Sequence, residues 1–392
     1  MSGNSSRRHV LRPRAEHTHN KVSFVELFFD LVFVFAITQI SHTLLEHFSA
    51  LGLAQAALLL GAVWWVWIYT SWVTNWLDPD HIAVRLMLFA LMFAGLLLST
   101  SLPEAFGEKG LIFAGAYAAM QIGRSLFTML SLKPHSLANY RNFQRITAWL
   151  VLSGIFWIAG GLAEGNSRFA FWALALGLEY VSPSLGFYVP GLGRSTTADW
   201  TIEGGHFSER CALFVIIALG ESVLVTGATF AKLTMTPVIV LAFANSFLSS
   251  VAMWWIYFNI GAERASEQIA RSDDPGRLAR IAYTYIHLLL VAGIILVAVG
   301  DEFVLAHPGG LTDMKTAIAI IAGPALYLLG NLFFKKVTAG WHPLSHLIGL
   351  GLLALLTPLA GSLPPLGFSM GATAILIIVA AWETLSLRPK EP

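Results

Sequence analysis

Apolar residues run along this chain in stretches of about twenty, closed by short turns bearing Gly, Pro or charge, and no stretch alternates residue by residue. Wound as a helix, such a stretch crosses a hydrocarbon layer of roughly 30 Å. The bilayer interior offers backbone groups no water, so a spanning segment is either a helix or a strand of a closed barrel. The missing two-residue period excludes the barrel. The pattern predicts twelve helices, near residues 23–45, 51–73, 82–102, 111–132, 145–163, 169–188, 206–230, 237–260, 280–300, 316–334, 343–361 and 366–387. The sixth is broken by Pro183 and Gly186 and is the weakest of them. The expected fold is an all-α integral membrane protein.

Composition sharpens this picture. Only 12% of the 392 residues are charged and 56% are apolar, with mean hydropathy +0.67. Soluble domains carry about 25% charged residues, so a soluble protein of this size could not cover its surface. The net charge of +1 offers nothing to a nucleic acid. A lone Cys211 makes no intrachain disulfide, no Cys/His metal spacing is present, and no cofactor motif appears. Residues 1–22 form a basic tail without the short apolar segment of a cleavable signal. With the chain starting inside, eighteen of the 24 Lys and Arg fall on the inner side and four (Lys109, Arg168, Lys232, Lys315) on the outer. Positive loops stay in the cytoplasm, so both termini are expected there, with a tail at 388–392.

Internal similarity suggests two six-helix halves. Trp64-Trp65-Val66-Trp67-Ile68-Tyr69 reappears as Met253-Trp254-Trp255-Ile256-Tyr257, and each is followed by an acidic, proline-bearing loop. Tyr117–Phe127 echoes Tyr327–Phe334. The expected repeats are 23–188 and 206–387, joined by a cytoplasmic linker at 189–205. Six is even, so both halves enter the membrane in the same direction.

Charged groups inside the spans carry the functional argument, because each costs at least about 2.5 to 3.5 kcal/mol at mid-membrane by insertion scales. Glu26 and Asp30 lie one helical turn apart and share a face with Phe33, Ile37 and Ser41. Two readings stand: an ion or proton site at the inner mouth, or a salt bridge to Arg85 or Arg210 that orients helices. His42 lies near the outer end of the same helix. In the seventh span His206, Glu209 and Arg210 open the helix and Glu221 lies near its middle, on one stripe with Arg210. Arg124 has no acid on its own helix, which leaves Glu26, Asp30 or Glu221 as partners. The loop Asn75, Asp78, Asp80 and then Arg85 reads either as a cap on the third helix through Asp78 or Asp80, with Pro79 at an early helical position, or as a vestibule that gathers cations. Trp72, Trp76, Trp341 and Trp382 read as an interfacial belt. His287 is a candidate polar contact to the first or seventh span.

Val25-Glu26-Leu27-Phe28-Phe29-Asp30-Leu31-Val32-Phe33-Val34-Phe35-Ala36-Ile37-Thr38-Gln39, the Asn75–Arg85 loop, and Glu209-Arg210 with Gly220-Glu221 together resemble the bacterial low temperature requirement A family over essentially the whole chain. One position departs: Ala212 stands where the family's Glu-Arg-x-Gly-Leu-Phe pattern has Gly. The resemblance implies a bacterial inner-membrane protein linked to growth in the cold, without a settled substrate. The first span is also similar to the first helix of endolysosomal-type potassium channels, with Phe28-Phe29-Asp30 and Phe207-Ser208-Glu209 in place of their Phe-Ser-Asp signatures. That likeness implies a homodimer around a pore lined by the first and seventh spans. Three functions follow as expectations: movement of an ion or small polar solute at a site between those two spans, an intramembrane enzyme acting on a lipid or isoprenoid-like substrate, or a scaffold whose charges all pair.

Overall fold

A helix lies in each of the twelve apolar stretches. The computed structural model describes residues 10–12, 21–200, 202–259, 261–340 and 342–386. The long helices are α1 (Phe24–Glu46), α2 (Ala50–Trp76), α3 (Ile82–Ser101), α4 (Gly110–Leu132), α5 (Leu137–Leu162), α6 (Gly165–Val181), α7 (Gly204–Phe230), α8 (Pro237–Phe258), α9 (His287–Ala306), α10 (Met314–Ala339), α11 (Leu344–Leu356) and α12 (Pro365–Ser386). Ten of these segments are long and apolar enough to cross a membrane. The remaining two are α4, which holds Gln121 and Arg124, and α6, only 17 residues long and holding Glu179. Among the described residues the chain forms no strand, only isolated bridges of Leu11 with Leu77 and of Val189 with Gly193.

The chain divides into two compact units, Met1–Ile40 with Ala54–Phe207, and Ser41–Leu53 with Ser208–Pro392. In lipid, apolar burial drives helices together weakly, so close packing and interhelical hydrogen bonds hold them. The first unit is packed by aromatics: Trp64, Trp65 and Trp67 of α2, Tyr117 of α4, Trp157 of α5 and Trp172 of α6 are all buried. Tyr117 lies 4.3 Å from Trp157 and Trp65 stacks on Tyr180 at 4.0 Å, contacts worth about 0.5 to 1.5 kcal/mol each beyond the area they cover. Trp72 and Trp76 belong to this packing, against Phe207 and Trp200, and are buried rather than set in an interfacial belt. Trp382 is exposed and Trp341 lies outside the described residues.

Small residues organise the second unit. A Cβ at Gly323 of α10 would sit 2.7 Å from the Val297 nitrogen of α9, and one at Gly293 would sit 2.7 Å from the Tyr327 nitrogen. Only glycine lets these two backbones approach so closely. Ahead of α9, residues Ala279–Ile286 form a π-helical segment. There His287 Nδ1 lies 2.8 Å from the Ala282 carbonyl and must donate to it, so its Nε2 accepts from the Tyr257 hydroxyl at 2.8 Å. The polar contact expected of His287 is therefore to α8, whereas Tyr283 is the residue that reaches α7, through Ser208 at 2.9 Å.

Caps account for several helix starts. Asp313 accepts from the Thr316 amide at 2.8 Å ahead of α10, and the Thr316 hydroxyl together with that amide holds its carboxyl below the usual carboxylate range. The cap's contribution is thus present above the ordinary carboxyl pKa and is lost as pH falls through the depressed one. At α3 the capping residue is His81, whose Nδ1 accepts from the Ala83 amide at 3.3 Å. Asp78 instead closes the preceding turn onto the Asp80 amide at 3.0 Å, which corrects the expectation that Asp78 or Asp80 caps this helix. Pro79 consequently lies ahead of the helix, not inside its first turn.

Candidate functional site

The head of α1 carries a capping box: Glu26 accepts from the Ser23 amide and hydroxyl, both at 2.9 Å, while the Ser23 hydroxyl faces the Glu26 amide at 3.4 Å. Residues 10–12 run antiparallel to 76–78, with Arg12 N donating to Trp76 O and Asp78 N to Val10 O, both at 2.9 Å. That pairing delivers the Arg12 guanidinium to Glu26 at 3.2 Å. On the other side His206 Nε2 lies 3.1 Å from the Glu26 carboxylate.

Asn75 fixes the tautomer of that imidazole. Its Oδ1 accepts from the Glu203 amide at 2.8 Å and its Nδ2 donates to the Glu203 carbonyl at 2.9 Å, so the amide cannot be flipped. The same Nδ2 faces His206 Nδ1 at 3.3 Å, so the neutral ring carries its proton on Nε2 and gives it to Glu26. Glu26 and His206 are both fully buried. The structure thus joins Glu26, Asn75 and His206 from the expected set and adds Arg12 and Glu203. Arg85, one of the two arginines that the salt-bridge reading offered to Glu26 and Asp30, pairs with Asp80 at 2.9 Å on the surface.

Asp30, one turn further along α1, accepts from the Trp67 indole at 2.7 Å in a buried setting. Trp67→Phe removes a neutral donor from a buried carboxylate, a loss of about 1.5 to 3 kcal/mol. The expected result is a lower melting temperature for the purified protein. An unchanged melt means that other groups hold Asp30.

Arg124 does not meet Glu26, Asp30 or Glu221. Its guanidinium donates to the Val66 carbonyl and the Thr70 hydroxyl, both at 3.0 Å, and to the Gln121 side-chain oxygen. Gln121 in turn donates to Glu179 at 2.8 Å. Glu179 of α6 also accepts from the Tyr117 hydroxyl at 2.6 Å, the Ser153 hydroxyl at 2.7 Å and the Trp157 indole at 2.9 Å. Four donors from α4 and α5 therefore meet one buried carboxylate. Sequence reading missed Glu179 because it lies in the span with the weakest apolar signal; the unaccompanied Arg124 was the clue that an acid had to exist.

In the second unit Lys335 of α10 lies 2.6 Å from Glu383 of α12 and donates to the Ile256 carbonyl of α8 at 3.1 Å. His346 stands 3.4 Å from the other oxygen of Glu383. Lys335, one of the eighteen cations counted on the inner side, is buried within α10. Near the far end of α9, Asp301 and Glu302 are buried, and Glu302 accepts from Thr229 at 2.6 Å. Of the other expected residues, Arg210 is buried, Glu221 is half-buried, and His42 and Glu209 are exposed. A groove of about 460 Å³ between α8 and α12 is lined by Leu248, Val251, Trp255, Ile377 and their neighbours without any titratable group, which is a poor setting for acid–base chemistry on a lipid.

The model of the bacterial low temperature requirement A protein family (LtrA) matches residues 21–381. An uncharacterized protein of Rhizobium meliloti (strain 1021) is 44% identical over 390 residues, covering 98% of this chain and 95% of that protein. No solved structure matches the chain.

Proposed function

The chain belongs to the bacterial low temperature requirement A family, and from that premise we propose that it moves an ion or small polar solute across the bacterial inner membrane through two halves of matched design. One observation carries the reading. In the first half a cation on the fourth helix, Arg124, binds the Val66 carbonyl of the second helix and reaches an acid on the sixth, Glu179, through Gln121. In the second half Lys335, again on the fourth helix, binds the Ile256 carbonyl of the second and Glu383 of the sixth. Val66 and Ile256 each follow a Trp-Trp pair, so these two carbonyls correspond along the chain. The agreement of cation, carbonyl and acid supports an internal duplication whose halves enter the membrane from the same side, an organisation common among transporters. The lysine and arginine bias supports cytoplasmic termini. Glu26 with His206 forms the inner mouth in this reading, and half-buried Glu221 on α7 is the coupling group.

Proteoliposomes given sodium, potassium or proton gradients test this. Wild-type protein is expected to dissipate at least one gradient, and Glu221→Gln to slow that flux several-fold with an unchanged melting curve. Absent flux in wild-type vesicles, or equal flux from the variant, overturns the reading and favours a scaffold.

A further inference from the structure

Four helices of the second unit line a small, partly open cavity that mixes polar and apolar groups. Its walls are Ser249 of α8, Val297, Gly300 and Asp301 of α9, Ile320 and Pro324 of α10, and Ser369 and Thr373 with Ala372 of α12; the space available to the centre of a water-sized particle is about 10 Å³. That is room for one such particle. Asp301, Ser249, Ser369 and Thr373 are all at least nine-tenths buried, and one carboxylate oxygen of Asp301 has no hydrogen-bond partner. Pro324, inside α10, has no N–H to give to the carbonyl four residues earlier, which is Ile320 in the cavity wall. Thr226 and Thr384 bond back to their own helix carbonyls, and Ser246, which also bonds back to Ala242, hydrogen-bonds Asp301, whereas Ser249 and Thr373 make no such bond and keep their oxygens for the cavity. Ser369 accepts from Asn245 at 2.9 Å, which turns its hydroxyl oxygen.

We propose that this cavity is a binding site for one dehydrated monovalent cation of sodium's size, held by the Asp301 carboxylate, the Ser249, Ser369 and Thr373 hydroxyls and the Ile320 carbonyl. Hard alkali cations bind oxygen, and broken helical hydrogen bonding inside a membrane is where a protein supplies carbonyls to them. No Lys, Arg or His lines the cavity, so nothing in its wall neutralises Asp301. A single carboxylate balances one positive charge, not two. Glu302, the next residue, is turned to Thr229 and does not line the site. The close approach of α9 and α10 through Gly293 and Gly323 is what presses Asp301 and the Pro324 break into one space. The inference rests on the transport reading for the ion's role, but not for its binding.

The full-length protein in detergent tests it, with thermal melting and radiolabelled sodium binding measured in sodium, potassium, calcium or choline chloride at constant ionic strength. Sodium is expected to raise the melting temperature saturably by several degrees, with potassium weaker and calcium and choline without effect. Asp301→Asn is expected to lose sodium binding, and Ser249→Ala and Thr373→Val to weaken it at least about tenfold while still folding. Thr229→Val, outside the cavity, is expected to bind as wild type. If sodium has no effect beyond choline, or the effect persists in both hydroxyl variants, the cavity holds water only and the proposal falls. Sodium binding without sodium-dependent flux in vesicles leaves the site standing and removes the transport reading. Flux whose sodium dependence is unaltered in Asp301→Asn does the reverse.

Discussion

Glu179→Leu is expected to give no monodisperse folded protein. Its carboxylate is the shared acceptor for Tyr117, Gln121, Ser153 and Trp157, and all of these side chains are buried where no water replaces it. A buried donor left unsatisfied costs about 1 to 3 kcal/mol, and four of them together rival the roughly 5 to 15 kcal/mol that holds an ordinary domain. The damage spreads, because Gln121 also positions Arg124 against Val66 and Thr70. Glu179→Gln retains an acceptor oxygen but turns an NH₂ group toward donors, so an intermediate loss of melting temperature is expected. Size-exclusion profiles and tryptophan-fluorescence melts measure both variants. A Leu variant that melts like wild type would sink the view that this hub ties α4, α5 and α6 together.

Lys335→Met is expected to destabilise the second unit more than the double variant Lys335→Met/Glu383→Leu does. Removing the ammonium strands the Glu383 carboxylate, and breaking one side of a buried ion pair costs about 3 to 5 kcal/mol, whereas replacing both partners with apolar groups is often neutral. His346 at 3.4 Å and the loss of the bond from Lys335 to Ile256 O temper the difference. The cycle of the two single variants and the double one, read by thermal melting, isolates the coupling. Additive losses would mean that the 2.6 Å contact adds nothing to stability.

The two ion-pair systems differ in legibility. The twelve helices are written in runs of apolar residues matched to a bilayer, whereas the capping box at Ser23 and Glu26, though it lies within four adjacent residues, came from the structure. Arg124 was legible as a cation in need of an acid, yet the acid is 55 residues away on a helix whose apolar signal is weakest. Asp301 and Glu302 lay just past the expected end of the ninth span at residue 300, whereas the helix runs to Ala306. Trp72 and Trp76 were assigned to the interface by their place at a span's end, and neighbouring rings at Trp200 and Phe207 bury them instead.

By itself the sequence determined that this is a helical membrane protein, roughly where along the chain its helices lie, and which family it joins. Those are properties of contiguous residues, since helical hydrogen bonds close over four positions and hydropathy sums over one span. Which buried charges meet was decided only by the tertiary structure: His206 against Glu26, Gln121 bridging Arg124 to Glu179, Lys335 against Glu383. A charged side chain in an apolar span announces its need for a partner, but the partner is chosen by which helix faces are pressed together, and that choice is made by packing across separations as long as 180 residues.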